Sequence, residues 1–368
     1  MIQDYAEREC RLDTGYVQTR CDPATGAVVP PLHFSTTFER DENGELSRGY
    51  VYTRIGNPTR LELEETLTRL EKGSESFAFS SGMQAATSVL MSCPGCHVLL
   101  PDDLYHGVRE IAESIFSMWG LTIERIDMTD NSIVESSLRA ACGQTDKPVV
   151  VWLESPSNPQ TKLSDIRHIS HMAKSLIGPE RTIVVVDATW ATPYLVNPLV
   201  LGADFVLHSL TKYIAGHSDV LGGAVTASTT AHTDTYAGQV VSRLRTMQRI
   251  GGGVLGPWEC YMAMRGIRTL PVRMKQHCAN AIQLAERLER HGCIEKVYYP
   301  GLPSHEQHAL AKEQMQGGYG GMMSILVKQG TAHSSAEALA VSVSAMSPPP
   351  SPPATLYHIL SNHDVFRK

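Results

Sequence analysis

The sequence lacks the features that mark membrane-spanning, secreted and nucleic-acid-binding proteins. No apolar run approaches the roughly 20 residues of a membrane span, and the polar residues Met1–Tyr5 do not form the basic-then-apolar pattern of a secretory signal. There is no excess of positive charge, since the formal net charge is −6, whereas nucleic-acid and acidic-membrane partners need a basic face. We therefore expect a cytoplasmic protein that binds neither nucleic acid nor a membrane.

Cysteine is present but is not arranged as a disulfide framework. The eight cysteines are scattered through 368 residues, whereas disulfide frameworks belong to short, cysteine-dense secreted chains. The segment Cys93-Pro94-Gly95-Cys96 has the spacing of a redox or metal motif, but no second pair exists to complete a zinc site. We interpret it as a Pro-Gly turn before a strand, with two incidental thiols, and we predict no metal site.

The hydrophobic pattern predicts an α/β fold. Several short apolar runs do not alternate with polar residues, which is typical of strands buried on both faces of a sheet, and helical stretches separate them. Strands that alternate with helices form a mainly parallel sheet through crossover connections. The predicted strands are Phe77–Phe79, His97–Leu100, Leu121–Ile126, Val149–Leu153, Ile183–Val186, Phe205–Leu207 and Ala224–Thr226.

The pattern also divides the chain into four predicted segments. Asn57 and Pro58 are suited to begin the first helix, which Gly73 should end. Near the C-terminus, an amphipathic helix at Pro271–Arg290 and a glycine turn leading into a strand at Gly317–Val327 indicate a smaller domain. The segments are an N-terminal arm (1–56), a large α/β domain (57–247), a partial C-terminal α+β domain (248–330) and a proline-rich tail (331–368), which we expect to be extended or disordered.

Ligands on parallel sheets bind beyond the carboxyl ends of the strands, so polar residues just after a strand are candidates for chemistry. Lys212 follows the strand Phe205–Leu207, where its amine is placed to form an imine with an aldehyde. The hydroxyls of Ser209 and Thr211 in the same segment are suited to bind a phosphate. The alternative is a surface lysine in a Ser/Thr-rich loop, and this segment alone does not decide between the two.

Asp187 ends the preceding strand, 25 residues before Lys212. A carboxylate against a pyridine nitrogen keeps that nitrogen protonated, so that the ring can accept electrons from a substrate carbanion. The alternative role for Asp187 is a helix N-cap, which is common for an aspartate after a strand. Its place on the strand-loop unit that adjoins the lysine favours the first role.

Two further segments are suited to the phosphate and the ring of such a cofactor. Ser81-Gly82-Met83 lies between a strand and a helix, where backbone amides bind phosphate and glycine permits close approach. Tyr105 follows the next strand and could stack on a planar ring. The simpler interpretations are an ordinary Ser-Gly turn and a partly buried tyrosine.

Two more segments carry polar groups with less specific patterns. Asn158 follows a strand and is suited to hydrogen-bond a phenolic oxygen, while Glu154 could brace the same proline-rich loop. Tyr52 and Arg54 lie in the N-terminal arm, where a phenol and a guanidinium suit a phosphate dianion. The alternatives are a proline-rich turn and a solvated helix entry.

In this order, these segments resemble the Cys/Met-metabolism family of pyridoxal-phosphate (PLP) enzymes, from about Ala27 to Met322. The family includes cystathionine γ-synthase, cystathionine γ-lyase, cystathionine β-lyase and methionine γ-lyase. The resemblance implies a large domain of the fold-type I PLP-dependent transferases, a small C-terminal domain, an amino-acid substrate and a dimer or tetramer. Within that assembly it implies that Tyr52 and Arg54 reach the neighbouring subunit's active site.

The resemblance also implies roles for the candidate residues. It makes Lys212, Tyr105 and Asp187 catalytic: the lysine carries the cofactor and moves protons, the tyrosine stacks on its ring, and the aspartate pairs with its nitrogen. The other residues that it assigns to cofactor binding are Tyr52, Arg54, Ser81, Gly82, Met83, Glu154, Asn158, Ser209 and Thr211.

The chain departs from the family pattern at two places. Ala188-Thr189-Trp190 stands where the family usually has Asn-Thr-Phe. The tail shows neither the family's Ser-Leu-Gly-Gly segment nor the later arginine that binds the substrate carboxylate, so we expect an incomplete small domain and impaired catalysis.

The resulting prediction is a trans-sulfuration enzyme that acts on cystathionine, or on O-acyl-homoserine and cysteine, by γ-elimination or γ-replacement. One alternative is a C-terminally altered isoform that binds PLP or partner subunits with little catalysis. Another fold-type I enzyme, such as an aminotransferase, is disfavoured by the segments Tyr52–Asn57 and Gly216–Asp219.

Overall fold

The computed structural model describes residues 12–17, 21–144, 147–231, 234–328 and 357–360. Two π-helical turns, Ala112–Phe116 and Met247–Gly251, and the 3₁₀ turn Pro198–Leu201 accompany the regular elements. The helices and strands are α1 (Leu12–Val17), α2 (Pro58–Glu71), β1 (Glu75–Phe79), α3 (Gly82–Met91), β2 (His97–Pro101), α4 (His106–Ile111), β3 (Thr122–Ile126), α5 (Asn131–Gln144), β4 (Val149–Glu154), α6 (Ile166–Ile177), β5 (Thr182–Asp187), α7 (Thr192–Leu195), β6 (Phe205–Ser209), β7 (Gly223–Ala227), α8 (Tyr236–Thr246), α9 (Pro257–Ile267), α10 (Leu270–Glu289), β8 (Ile294–Tyr298), α11 (His308–Gln314), β9 (Met323–Val327) and β10 (Tyr357–Leu360).

The large sheet has seven strands in the order β1-β7-β6-β5-β4-β2-β3. Neighbouring strands from β3 to β6 run parallel, whereas β7 is antiparallel to both β6 and β1. All seven strands predicted from the hydrophobic pattern are present, and their ends agree within two residues. The predicted α/β fold with a mainly parallel sheet is therefore confirmed.

The large sheet is buried on both faces, which explains its unbroken apolar strands. Along β4, Val149, Val151 and Leu153 belong to one hydrophobic core cluster, while Val150 and Trp152 belong to the other. Successive side chains of a strand point to opposite faces, so each face must be apolar when helices cover both. No helix in the described part of the chain is long and apolar enough to cross a membrane.

Helix α2 begins at the predicted N-cap, but a different residue from the predicted Gly73 ends it. The side chain of Asn57 accepts hydrogen bonds from the backbone N–H groups of Thr59 and Arg60, at 2.9 and 3.4 Å. At the other end Lys72, rather than Gly73, takes the left-handed conformation. Gly73 is needed for another reason, because a Cβ there would lie 2.5 Å from the carbonyl oxygen of Ala227.

A second, three-stranded sheet lies C-terminal to the large one. Its order is β10-β9-β8, with β8 antiparallel and β10 parallel to β9. Helix α10 packs on β8, and their apolar side chains form a third core cluster with those of β9. Four residues of the predicted tail, Tyr357–Leu360, thus form a strand, whereas the prediction for the rest of 331–368 concerns residues outside the described ones.

Candidate active site

A cavity of about 930 Å³ opens at the carboxyl ends of the parallel strands. This is the edge at which the sequence pattern places the candidate residues. Tyr52 and Arg54 do not line this cavity of their own chain. The ten candidates that do line it are Ser81, Gly82, Met83, Tyr105, Glu154, Asn158, Asp187, Ser209, Thr211 and Lys212.

Lys212 reaches the cavity from a tight turn directly after β6. Its backbone N–H donates to the carbonyl of Ser209 at 3.2 Å, and Gly216 N–H donates in turn to the Lys212 carbonyl at 2.9 Å. The hydroxyl of Thr211 is tied to Gly222, whose backbone N–H donates to it at 3.1 Å. These bonds fix the backbone from which the exposed lysine side chain enters the cavity.

Two buried carboxyl groups lie side by side at the ends of β4 and β5. Glu154 and Asp187 are paired in register and are only 6% and 8% exposed. Burial raises the pKa of both groups, and the charge of Asp187 raises that of Glu154 further. Two adjacent desolvated carboxyls favour a proton or a cation nearby, so this wall of the cavity suits a protonated ring nitrogen.

Glu154 also positions two of the other candidates. Its Oε2 accepts a hydrogen bond from the backbone N–H of Tyr105 at 2.9 Å, and its Oε1 accepts one from the backbone N–H of Asn158 at 2.7 Å. One buried carboxyl group therefore joins the loop after β2 to the loop after β4. The prediction that Glu154 braces this loop agrees with these contacts.

The N-terminus of α3 forms a narrow cradle against β6 and β7. The hydroxyl of Ser81 caps the helix by accepting from Gln84 N–H at 3.0 Å. A Cβ on Gly82 would lie 2.9 Å from the Cβ of Ser209, and one on Gly223 would lie 2.2 Å from the Ser81 carbonyl oxygen. Only glycine fits at these positions, and the backbone amides of a helix N-terminus beside hydroxyls suit a phosphate group.

Several residues of the site were not predicted. Thr189 donates its backbone N–H to Asp187 Oδ1 at 2.9 Å, and its hydroxyl accepts from the backbone N–H of Ser209 at 2.9 Å. Its position two residues after Asp187 was the available signal. Trp190, His277 and other residues also line the cavity, and no pattern in the sequence links His277 on α10 to the ends of the strands.

Tyr52 and Arg54 lie together in the arm before α2. The Arg54 guanidinium is 5.6 Å from the centre of the Tyr52 ring, and its Nη1 donates to the carbonyl of Arg249 at 2.5 Å. Their predicted place in a neighbouring subunit's site requires a second chain and stays a prediction. Among the described residues, no cluster of three or more His, Cys, Asp or Glu side chains is arranged to hold a metal ion.

Comparison with known proteins identifies the family. The sequence profile of the Cys/Met metabolism PLP-dependent enzymes matches residues 13–348. The chain belongs to this family. Its members depend on pyridoxal phosphate, so the predicted cofactor and enzyme class are confirmed, and the buried carboxyls, the glycine cradle and the exposed lysine of the cavity fit that cofactor's ring nitrogen, phosphate and aldehyde.

Relatives within the Cys/Met metabolism family cover most of the chain. A cystathionine γ-synthase of Mycobacterium leprae is 42% identical over 313 residues, which is 84% of this chain and 76% of the relative. A cystathionine β-lyase of Coxiella burnetii is 39% identical over 325 residues, covering 87% and 79%. These relatives are named as enzymes and give no support to the alternative of a weakly catalytic isoform.

Solved structures of the family share the fold. The cystathionine γ-synthase of Xanthomonas oryzae pv. oryzae in complex with cystathionine has a TM-score of 0.80 and 37% identity, covering 88% of this chain and 80% of that one. A cystathionine γ-lyase of Lactobacillus plantarum complexed with L-serine has a TM-score of 0.78 and 33% identity, covering 87% and 80%. The fold-type I assignment is therefore confirmed.

Proposed function

We propose that this PLP enzyme carries out trans-sulfuration, breaking or forming the bond between sulfur and the γ-carbon of an amino acid. Its substrates would be cystathionine, or O-acyl-homoserine together with cysteine. The observation that carries the proposal is the cavity in which Lys212, Asp187 and Tyr105 meet, in a chain whose relatives are named for cystathionine chemistry.

Pyridoxal phosphate, when bound, supplies an electron sink for a carbanion at the substrate Cα. Lys212 Nζ would hold the cofactor through its aldehyde, and the lysine amine would accept the α-proton of the substrate. The carboxyl group of Asp187 would pair with the ring nitrogen and keep that nitrogen protonated. The ring of Tyr105 would stack on the cofactor ring, and its phenol oxygen would assist proton transfer.

The remaining candidates bind rather than react. Gly82, Met83, Ser209 and Thr211 would hold the phosphate at the start of α3, where backbone amides and hydroxyls can supply the hydrogen bonds. The side-chain amide of Asn158 would donate to the ring oxygen.

The proposal extends to the assembly and its compartment. Tyr52 and Arg54, which lie outside their own chain's cavity, would complete the phosphate site of a neighbouring copy in a dimer or tetramer. We place the enzyme in the cytoplasm, and this is supported by the free thiol state of the seven cysteines that the structure describes.

The test begins with cofactor attachment. Purified protein mixed with pyridoxal phosphate should develop a visible absorption band, and borohydride should trap an adduct on the peptide that carries Lys212. Lys212→Ala should lose both signals, whereas Lys312→Ala, at an exposed position on α11, should keep them. A colourless wild-type protein without a trapped adduct overturns the proposal.

The second arm of the test identifies the reaction. Cystathionine, O-acetyl-homoserine and O-succinyl-homoserine with cysteine should each be offered to the coloured enzyme. A shift of the visible band together with release of a ketoacid, or formation of cystathionine, supports trans-sulfuration. Amino transfer to an added ketoacid without cleavage of the γ-substituent would contradict it and favour an aminotransferase.

A further inference from the structure

The cysteine pair between α3 and β2 forms a closed turn. Cys96 N–H donates to the carbonyl of Cys93 at 3.4 Å. Gly95 has φ +71°, and Pro94 precedes it. Proline at the second position and a left-handed glycine at the third are the residues that a type II turn requires. The two cysteines thus occupy the first and last positions of the turn.

This geometry suits a disulfide bond. The end residues of a β-turn have Cα atoms less than about 7 Å apart, and disulfides join Cα atoms about 4.4 to 6.8 Å apart. Both thiols are 0% exposed and lie in the core cluster beneath the turn, whereas Pro94 is exposed at the surface. The turn therefore brings the two thiols within the separation that a disulfide requires, and Pro94, between them in the chain, reaches the surface.

Polar groups around the two thiols make them unequal. Cys96 Sγ lies 2.9 Å from the hydroxyl of Tyr236, and the guanidinium of Arg243 lies 5.8 Å from the centre of that ring. The hydrogen bond from Cys93, helped by Tyr236 and Arg243, lowers the pKa of Cys96. The same hydrogen bond and burial raise the pKa of Cys93. When a more acidic thiol lies beside a less acidic one, the more acidic thiol can attack a disulfide and the other can then resolve the mixed disulfide.

We propose that Cys93 and Cys96 form a thiol–disulfide exchange site for low-molecular-weight disulfides. The Cys96 thiolate attacks one sulfur of the disulfide R–S–S–R, forms a mixed disulfide and releases one RS⁻. Cys93 then loses its proton and attacks Cys96 Sγ, which closes the internal disulfide and releases the second RS⁻. The two cysteine thiols are oxidised, the added disulfide is reduced, and the two protons end on the two released thiols.

This site is separate from the cofactor cavity, whose lining includes neither cysteine. Helix α3 carries the phosphate cradle at its N-terminus, while the dithiol turn follows its C-terminus. The turn before β2 agrees with the sequence interpretation, and the proposal differs from it only in giving the two thiols a role. The proposal therefore does not depend on the proposed reaction.

The experiment measures the redox state of the pair in the PLP-loaded enzyme. The protein is equilibrated with mixtures of reduced and oxidised glutathione and then alkylated. The masses of its tryptic peptides are measured by mass spectrometry. Residues 73–109 hold Cys93 and Cys96 and no other cysteine. As the mixture becomes more oxidising, this peptide should change from doubly alkylated to unalkylated with the loss of two hydrogens. Cys142 and Cys260, whose thiols donate to backbone carbonyls, serve as internal controls and should stay alkylated.

Single variants test the roles of the two thiols. Cys93→Ser should accumulate a glutathione adduct on Cys96, at least about tenfold faster than Cys96→Ser accumulates one on Cys93. Tyr236→Phe should slow the adduct on Cys96, because loss of the Tyr236 hydrogen bond raises the pKa of Cys96. The rate should fall about threefold for each tenfold fall in the thiolate fraction, since a more basic thiolate is also more nucleophilic. A wild-type pair that stays fully alkylated in oxidised glutathione overturns the proposal, as does an adduct that forms equally fast in both serine variants.

Discussion

Glu154 shows how one buried residue organises a site without reacting in it. Its two carboxyl oxygens each accept one backbone N–H, from Tyr105 and from Asn158, and its neighbour on the next strand is Asp187. The tyrosine covers the ring face and the asparagine meets the ring oxygen in the proposed function. The separation of these two groups is therefore set by a single side chain.

Glu154→Gln should weaken the binding of pyridoxal phosphate about tenfold to a hundredfold. Glutamine offers one acceptor, so its amide group would face a backbone N–H, and an unsatisfied buried donor costs about 1–3 kcal/mol. The affinity can be measured by titrating the visible absorption of the bound cofactor.

The matched control is Asp103→Asn in the same pair of loops. Asp103 uses one oxygen, Oδ2, for both Ser157 and Gln160, so asparagine can keep both contacts. Its affinity for the cofactor should change less than about threefold. Equal losses in the two variants would show that general damage to the loops, rather than the double contact of Glu154, controls cofactor binding.

At the scale of single residues, position after a strand was the useful signal. Lys212, Asp187 and Asn158 each follow an apolar run, and parallel strands bring their carboxyl ends to one edge. His277 could not be found in this way because it lies on α10, far along the chain, and reaches the cavity only through tertiary packing. The roles proposed for Tyr52 and Arg54 depend on a second chain, which a single sequence does not define.

At the scale of helices, the N-cap of α2 combines a local hydrogen-bond pattern with contacts to the N-terminal arm. The side chain of Asn57 caps the helix and also donates from Nδ2 to the carbonyl of His33 and the hydroxyl of Thr53, both at 2.9 Å. The sequence predicted the cap because Asn before Pro is a local pattern. It could not predict the contacts that tie the N-terminal arm to the helix.

Asn57→Ala should destabilise the protein by about 2–3 kcal/mol. The loss combines an N-cap worth about 1 kcal/mol with buried polar groups of the arm that lose their partner. Thermal unfolding of the two proteins should show a lower midpoint for the variant. Asn57→Asp, which keeps the cap but not the Nδ2 donor, should lose about half as much, and an alanine variant as stable as wild type would contradict this account.

His305 connects the entry of α11 to the loop after β4. Its Nδ1 accepts from the backbone N–H of Gln307 at 3.2 Å, and its ring also hydrogen-bonds the backbone of Thr161. The side chain is 7% exposed, and burial lowers its pKa to about 4. The folded state therefore resists protonation of this ring.

Folding stability should depend on pH through His305. Between about pH 6.5, the ordinary value of histidine, and about pH 4 the unfolded chain binds a proton that the folded chain does not. The contribution of His305 is thus complete above pH 6.5 and is lost as the pH falls through this window, by at most about 3 kcal/mol. His305→Gln should show a smaller fall in unfolding midpoint from pH 7 to pH 5 than wild type, and parallel falls would refute this assignment.

At the scale of the whole molecule, the order of the elements was predictable and the end of the chain was not. Strands buried on both faces carry unbroken apolar runs that are visible in the sequence, as in Val149–Leu153. Strand β10 is four residues long and pairs with β9, about 30 residues earlier in the chain. So short a strand has no recognisable period, and its pairing depends on a non-local partner.

The C-terminal segment should limit how well this enzyme holds its amino acid. None of the described residues that line the cavity is an arginine, whereas the family resemblance implies one that grips the substrate carboxylate from a later strand. Replacing residues 331–368 with the corresponding segment of the Mycobacterium leprae relative should therefore raise kcat/KM for cystathionine at least about tenfold, since a bidentate guanidinium both binds and orients a carboxylate. The control is the same chimera with that arginine changed to lysine. Lysine keeps the positive charge but cannot make the bidentate contact, so most of the increase in kcat/KM should be lost. Equal kcat/KM in the chimera and the natural chain would mean that residues of this chain already bind the carboxylate.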